Sequence, residues 1–515
     1  MSLDLKKILI DYKEEMRGFE KQILNGKIEK KYPLSPINFT LMQARGLFMP
    51  IVIPFNNFLD KKLLKEAVLH VIRKHGLMRS VMVREKGKLL WQQHEDPQDI
   101  SIPYIDISKY AREEKIEINR ALHTSRFLYD FPTTSSLYML SSMKDYLSGH
   151  RRYLVKFPFL FRMILGLARI TRYFNKKSHG RTLLYRLVLI KKNLKDHVLF
   201  FNIDHILVDY RSLDILESDI CQYYNSKGKD IQREAASYDQ YVYQIARGPM
   251  EIGAEDLAVR LNLNEWRPFQ DKVTEKFHRD ECKGVTTFVH RIDFQRYPHI
   301  TTSNAWAVAL VLLVMLAREV FDISKVPVRV VYACRKYGGI NFYNTVGVFS
   351  TAFPMVLEFN QDDPFKMFKQ AYGFIDVCDK HNLNFGSFPY LEFSDKAWEQ
   401  LIRLYEYKYL LPMEPTLLYN FVGGRLTYLE GVAGGAFITT KRSVVNREVT
   451  KRERLVVKFK GRFITFVSYT PEAIFFELES LLKFDVDHMA GLFDKTLEKI
   501  SRQLAENAGS DKSFF

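Results

Sequence analysis

The longest uninterrupted apolar run, AWAVALVLLVMLA at 305–317, is about 13 residues, well short of the roughly 20 that a membrane-spanning helix needs. It predicts a buried core helix. Material for such a core is ample, since 47% of residues are hydrophobic and 14% aromatic, which argues against wholesale disorder. The chain's 515 residues exceed one ordinary core and predict two lobes of roughly 200 to 250 residues each.

The opening MSLDLKKILIDYKEEMRGFEKQ is charged and amphipathic. It lacks the apolar h-region and small-residue cleavage site of a secretory signal, so a cytoplasmic location is expected. Cys221, Cys282, Cys334 and Cys378 are far apart, with no CxxC or Cys/His spacing suited to zinc; buried thiols and no metal site are expected. The 76 basic and 60 acidic residues give a net charge of +16, which favours acidic partners such as carrier proteins, phosphorylated cofactors or anionic lipid. Zinc-finger, RNP-type and basic-zipper signatures are missing and the basic residues are dispersed, so no nucleic-acid partner is expected.

Along the chain, residues 1–28 read as a leading helix, docked on the body or partly mobile. An N-terminal lobe over 29–250 follows, then a connection at 251–275 near Gly248-Pro249 and Arg267-Pro268, then a C-terminal lobe over 276–515. Apolar spacing predicts a helix over 61–75 with Asp60 as N-cap and Gly76 as stop, and strands at 79–84 and 89–94. The segments LLYRLVLIKK and HVLFFNI read as paired strands, with a loop at 204–209 and a helix through Tyr224 after them. In the second lobe a strand at 285–293 precedes the apolar helix, and Asp363-Pro364 opens another helix as N-cap and N1. The hairpin LVVKFKGRFITFVSY turns at Lys460-Gly461, and Met489, Leu492, Phe493, Leu497, Ile500 and Leu504 mark a final amphipathic helix.

An insert at about 126–180 stands apart, because YLVKFPFLFRMILGLARITRYFNKK interleaves large apolar groups with Lys156, Arg162, Arg169, Arg172, Lys176 and Lys177. It reads either as a helical hairpin closed over its own lobe or as a membrane-surface or partner-docking element through 143–177.

The chemistry concentrates in FFNIDHILVDYRSLDIL, where His205 and Asp209 stand four apart just after the buried strand; of 13 histidines only His205 has Asp at i+4. A neutral imidazole can take a proton from an amine or hydroxyl attacking a thioester, since its pKa lies near working pH. Asp209 is expected to point away and to pair with an arginine, Arg335 first and Arg79 second, holding the loop from behind. A histidine at a strand end is more often a satisfied core or loop residue. Context decides.

That context is a resemblance. The segment is similar to the HHxxxDG signature of the condensation domains of nonribosomal peptide synthetases, within the wider chloramphenicol-acetyltransferase-like superfamily. Flanking pieces recur in the family's order over most of 30–508: YPLSPINFTLMQ resembles the opening motif and RKHGLMRSVM the RHExLRTxF element. SYDQYVYQIA resembles YxDYAxW, VGVFSTAFP resembles VGxFVNTLP, and LLYNFVGG the FNYLG stretch.

The resemblance implies an α/β fold of the α+β sandwich kind: two chloramphenicol-acetyltransferase-like lobes in a V with a central tunnel. It assigns His205 as catalytic and Asp209 as structural, with Ser212 following at the expected step. It implies a free-standing, monomeric acyltransferase that joins an acyl thioester, carried on the phosphopantetheine of an acyl or peptidyl carrier protein or on CoA, to an amine or hydroxyl. No bound cofactor is implied. Two neighbours depart from the signature, Asp204 standing for its first histidine and Tyr210 for its glycine. Tyr210 adds a bulky ring and forbids glycine-only backbone conformations. These departures motivate two alternatives, a catalytically silent scaffold that recruits carrier proteins and, from the basic insert, an acyltransferase on lipid acceptors at a membrane face.

Overall fold

The computed structural model describes residues 3–35, 48–55, 58–85, 88–115, 182–228, 236–247, 265–280, 284–333, 335–360, 363–380, 417–424, 447–448, 463–470 and 472–507, together with Asn38, Ile118, Val259 and Asn262. The insert at 126–180 and the turn at Lys460-Gly461 lie outside the described residues. The chain divides into two compact units. The first holds the described residues within Met1–Arg247 and Gly339–Val348; the second holds those within Gly248–Gly338, Phe349–Thr427 and Ile438–Phe515.

The first unit opens with helix α1 (Leu3–Leu24). Leu9, Tyr12, Met16, Phe19 and Ile23 recur every three or four residues and are all buried, so the leading helix is docked along one apolar stripe. Each such side chain contributes about 2 kcal/mol of burial. The contact is keyed by Phe19, edge-on to Tyr185 at 6.3 Å, and by a Glu20–Arg186 ion pair at 2.9 Å.

Strands β1 (Ile28–Pro33), β3 (Ser80–Glu85) and β4 (Lys88–His94) form an antiparallel sheet in the order β1-β4-β3. A second sheet runs β2-β7-β6-β5, from β2 (Phe48–Phe55), β5 (Tyr104–Asp106), β6 (Tyr185–Lys191) and β7 (His197–Asp204). Every residue of β7 is buried, as expected of a strand with β2 antiparallel on one side and β6 antiparallel on the other. Helix α2 (Lys61–Lys74) starts at Asp60, whose side chain accepts from the Leu63 amide at 3.0 Å. It buries Leu64, Ala67, Val68, Val71 and Ile72. Helix α3 (Tyr210–Ser226) follows β7, and α4 (Tyr238–Arg247) closes the unit's main stretch.

In the second unit, α5 (Trp266–Asp280) buries Val273 and Phe277 in the same core as α6 (Ala305–Phe321). All but Arg318 and Glu319 of α6 are buried, so the 13-residue apolar run is enclosed on every side. Helices α7 (Pro364–Lys380) and α8 (Val486–Asn507) pack on it, α7 capped by Asp363, which accepts from the Lys366 amide at 3.1 Å. Among the described residues the sheet has seven strands: β8 (Gly284–Asp293), β9 (Lys325–Ala333), β10 (Ser350–Glu358), β11 (Leu417–Gly424), β12 (Arg447–Glu448), β13 (Phe463–Tyr469) and β14 (Ala473–Ser480). Their order is β10-β9-β11-β13-β14-β8-β12. Only β11 is parallel to its neighbours β9 and β13. Among the described residues no helix is long and apolar enough to cross a membrane.

Candidate active site

The chain leaves β7 at Asp204 and enters α3 at Tyr210, and the five residues between form a tight turn. Its start is closed by Asp204 itself. The backbone N–H donates to Leu184 O at 2.8 Å, the carbonyl accepts from Leu207 N at 2.9 Å, and the carboxylate accepts from Ile206 N at 3.0 Å. Asp204 thus spends its side chain on the turn, a use open to an aspartate through a local Asx-type bond. Ile206, Leu207 and Val208 are buried; His205 just before them is only half-buried. Three apolar anchors therefore hold the loop down while the imidazole stands at its rim.

A short contact to the loop's own backbone orients the ring. His205 Nδ1 lies 2.7 Å from the carbonyl oxygen of Val208. A carbonyl only accepts, so Nδ1 carries the proton, and in the neutral ring Nε2 carries the lone pair. That is the tautomer a general base needs.

Asp209, buried at 1% exposure, is the N-cap of α3. Its carboxylate accepts from Ser212 N at 2.9 Å and lies 2.8 Å from Ser212 Oγ. Aspartate is a favoured cap because its oxygen satisfies an N–H that has no partner within the helix. Ser212 Oγ is also 2.7 Å from Gly347 O and accepts from Gly347 N at 3.0 Å. The Asp209 N–H donates to the same Gly347 carbonyl at 3.3 Å. The hydroxyl has one proton to share between the Asp209 carboxylate and the Gly347 carbonyl.

Tyr210 is the first residue of α3, so its backbone is helical. The described non-glycine residues with positive φ are Lys227, Asn262 and Asp322, and the sequence-based expectation that Tyr210 forbids a needed glycine conformation is corrected on that ground. Arg79, the second arginine expected beside Asp209, is placed elsewhere. Its guanidinium pairs with Glu29 at 3.0 Å and Asp96 at 3.1 Å and donates to the carbonyls of His94 and Arg73. Arg335 belongs to the second unit, buried, with its guanidinium carbon 4.2 Å from the Phe349 ring centroid.

Residues that sequence reasoning did not single out hold the turn from behind. Asn38, fully buried, donates through Nδ2 to Ile206 O at 2.7 Å. Its Oδ1 accepts from Ser35 N at 2.9 Å and lies 3.2 Å from the Tyr238 hydroxyl. Tyr238, whose phenol is pushed well up by burial, also reaches Val348 O at 3.2 Å. The Tyr238 ring lies so close to Gly347 that an added Cβ would stand 2.1 Å from it. Gly347 is glycine because of that approach. Behind α3, Asp219 binds His75 Nε2 and Lys74 Nζ, both at 2.7 Å. Burial raises its carboxyl, but the hydrogen bond and charge of His75, then those of Lys74, bring the net below the ordinary value.

Two other groups on α3 are perturbed. Glu217 is pushed up to about 7 by burial and then by Asp214. Cys221 is pushed up to about 12 by burial and then by Glu217, which makes it a poor nucleophile. Among the described residues no cluster of three or more His, Cys, Asp or Glu could hold a metal ion.

No family model matches the sequence, and no curated protein matches it. Solved structures do match in fold. The chain is similar to the epimerization domain from the third module of tyrocidine synthetase B, with a TM-score of 0.54 and 13% identity over 94% of this chain and 98% of that one. It is similar to the structure describing condensation domain-mediated chain release from the enacyloxin polyketide synthase, at 0.52 and 13% over 98% and 88%. It is also similar to a chain of the complex of the X-domain and OxyB from teicoplanin biosynthesis, at 0.50 and 14% over 96% and 98%. The chain has the α+β fold of condensation domains of nonribosomal peptide synthesis along nearly its whole length.

Proposed function

We propose that the chain is a free-standing acyltransferase of the condensation type, and that His205 serves the transfer as general base or positioning group. The observation that carries this reading is the 2.7 Å contact from His205 Nδ1 to Val208 O, which leaves the lone pair on Nε2. An amine or hydroxyl of the acceptor attacks the thioester carbonyl while its proton passes to Nε2. The tetrahedral intermediate then collapses, the C–S bond breaks, and the thiolate recovers the proton from the imidazolium. Proton transfer of this kind supplies roughly 10²- to 10⁴-fold of rate.

The donor is an acyl thioester on the phosphopantetheine of an acyl or peptidyl carrier protein or on CoA. Both are anionic, and a net charge of +16 suits their approach. No step calls for a metal or redox cofactor.

The second reading is a silent scaffold that recruits carriers or a tailoring enzyme, motivated by Asp204 and Tyr210 and by a similar fold having been solved in a complex with OxyB. Asp204 closing the turn and Tyr210 lying in helical backbone favour the enzyme. Incubating the purified chain with acyl-loaded carrier proteins or acyl-CoA and candidate amine and hydroxyl acceptors, followed by intact-mass analysis, separates the two. Acyl mass moving from donor to acceptor supports the enzyme; carrier binding without movement supports the scaffold.

A further inference from the structure

Phe58, 84% exposed, and Leu194, 79% exposed, are the two most exposed large hydrophobic residues among those described. Both are held at the same end of the first unit's four-stranded sheet. Phe55, the last residue of β2, and Lys191, the last of β6, both pair with His197, the first residue of β7. Leu194 tops the β6–β7 turn, closed by Lys192 N to Asp196 O at 2.8 Å and by Asn193 Oδ1 accepting from Lys195 N at 3.0 Å and Asp196 N at 2.8 Å. Phe58 stands two residues before the Asp60 cap of α2, whose own N–H is anchored on the Tyr224 hydroxyl at 2.9 Å. Lys195 Nζ, 5.8 Å from the Phe58 ring centroid, brings the two tips together.

Neither residue is explained by local structure. A hydrogen-bonded turn apex needs no leucine, and the position that packs against the first turns of a helix is the one just before the cap, held by Leu59 rather than Phe58. Around the tips, Lys61, Lys62, Lys192 and Lys195 make no ion pair with a described residue, Lys61 lying over the Tyr104 ring at 3.7 Å, and they outnumber the two carboxylates of the tips, Asp60 and Asp196; Asp99 and Asp106 are neutralised by Lys65 and Lys191 at 2.9 Å. Burial first, then Lys61 and Lys191 against the opposing Asp196 and Asp106, holds His197 below the ordinary imidazole value.

We propose that this end of the first unit docks on an anionic lipid bilayer surface, Phe58 and Leu194 entering between the headgroups with the lysines at phosphate level. Single apolar side chains projecting from two tips among lysines that outnumber the carboxylates suit a soft, negatively charged interface. A protein partner is better matched by a contiguous apolar face. The surface lies at the opposite end of β7 from His205, about 25 Å away by strand rise. The inference therefore stands whether or not acyl transfer does.

The test is cosedimentation of the full chain with vesicles of phosphatidylcholine alone and with about one third phosphatidylserine. Wild type should sediment with the anionic vesicles and not with the neutral ones. The Phe58→Ser/Leu194→Ser variant should bind them at least about tenfold more weakly, and Lys62→Glu/Lys195→Glu should also weaken binding. Wild type failing to bind anionic vesicles, as a purely protein-docking surface would, overturns the proposal. So does a double-serine variant that binds like wild type, which would place binding in another segment. If a variant melts differently from wild type, Phe58→Trp replaces it. Its added fluorescence should shift to the blue with anionic vesicles only, and an unshifted emission overturns the proposal.

Discussion

Ser212 grips both polar atoms of the Gly347 peptide, its Oγ accepting from the N–H at 3.0 Å and lying 2.7 Å from the carbonyl. One hydroxyl thereby ties the first turn of α3 to a segment 135 residues further along the chain. The same hydroxyl touches the Asp209 cap, so the geometry of the His205 turn depends on how closely Gly347 can approach.

Gly347→Ala tests that approach. A Cβ at 2.1 Å from the Tyr238 ring must push ring or backbone aside, at a cost of about 1–3 kcal/mol. Chemical denaturation should show this loss in an otherwise wild-type chain and little of it in a Tyr238→Ala background, where the ring is gone. Equal losses in both backgrounds would show that the glycine is not there for the tyrosine.

Asp209→Ala removes the cap and should cost about 1 kcal/mol, up to about 2, while Asp209→Asn, which keeps an acceptor, should cost less. Melting temperatures of the two variants decide it. Both should slow acyl transfer, because the loop that presents His205 ends at that residue.

Asn38→Ala strips a partner from the Ile206 carbonyl, the Ser35 N–H and the Tyr238 hydroxyl together. A buried carbonyl or N–H that loses its partner costs about 1–3 kcal/mol, while the Tyr238 hydroxyl keeps Val348 O. The loss should appear in denaturation and as slower transfer, although Asn38 bonds the backbone of Ile206 and not the imidazole.

How far these residues could be found from sequence follows from the range of the forces. Helix α2 could be read from the Asp60 cap and its apolar spacing, α6 from its apolar run, and β6 and β7 from their continuous hydrophobic residues, because each signal is local. The position of His205 between strand and helix was legible for the same reason. The Asp209–Ser212 cap was also local, an aspartate three residues before a serine at a helix start, but the sequence reading weighed Asp209 for an arginine partner and not as a cap. Asn38, Tyr238 and Gly347 lie in segments quoted for their family likeness. Their convergence on one turn is tertiary, and no spacing along the chain encodes a tyrosine ring resting on a glycine. At Tyr210 a glycine in the motif suggests an unusual backbone, whereas the chain there is ordinary helix.

Glu217 predicts a pH effect. Its carboxyl is raised to about 7 from an ordinary 4.5, so folding favours the protonated form. Its contribution is full below the unfolded value and is lost as pH rises through the folded one. Glu217→Gln should therefore be nearly neutral at pH 4.5 and stabilise the chain by about 3 kcal/mol at pH 8. Denaturation midpoints at the two pH values check this, and a variant no more stable than wild type at pH 8 would rule it out.

Acyl transfer by His205→Ala compared with wild type, followed by intact mass of the acceptor under single-turnover conditions, bears most directly on the central claim. The variant should melt like wild type and transfer about 10²- to 10⁴-fold more slowly. Equal rates in the two proteins would remove His205 from the chemistry and contradict the account.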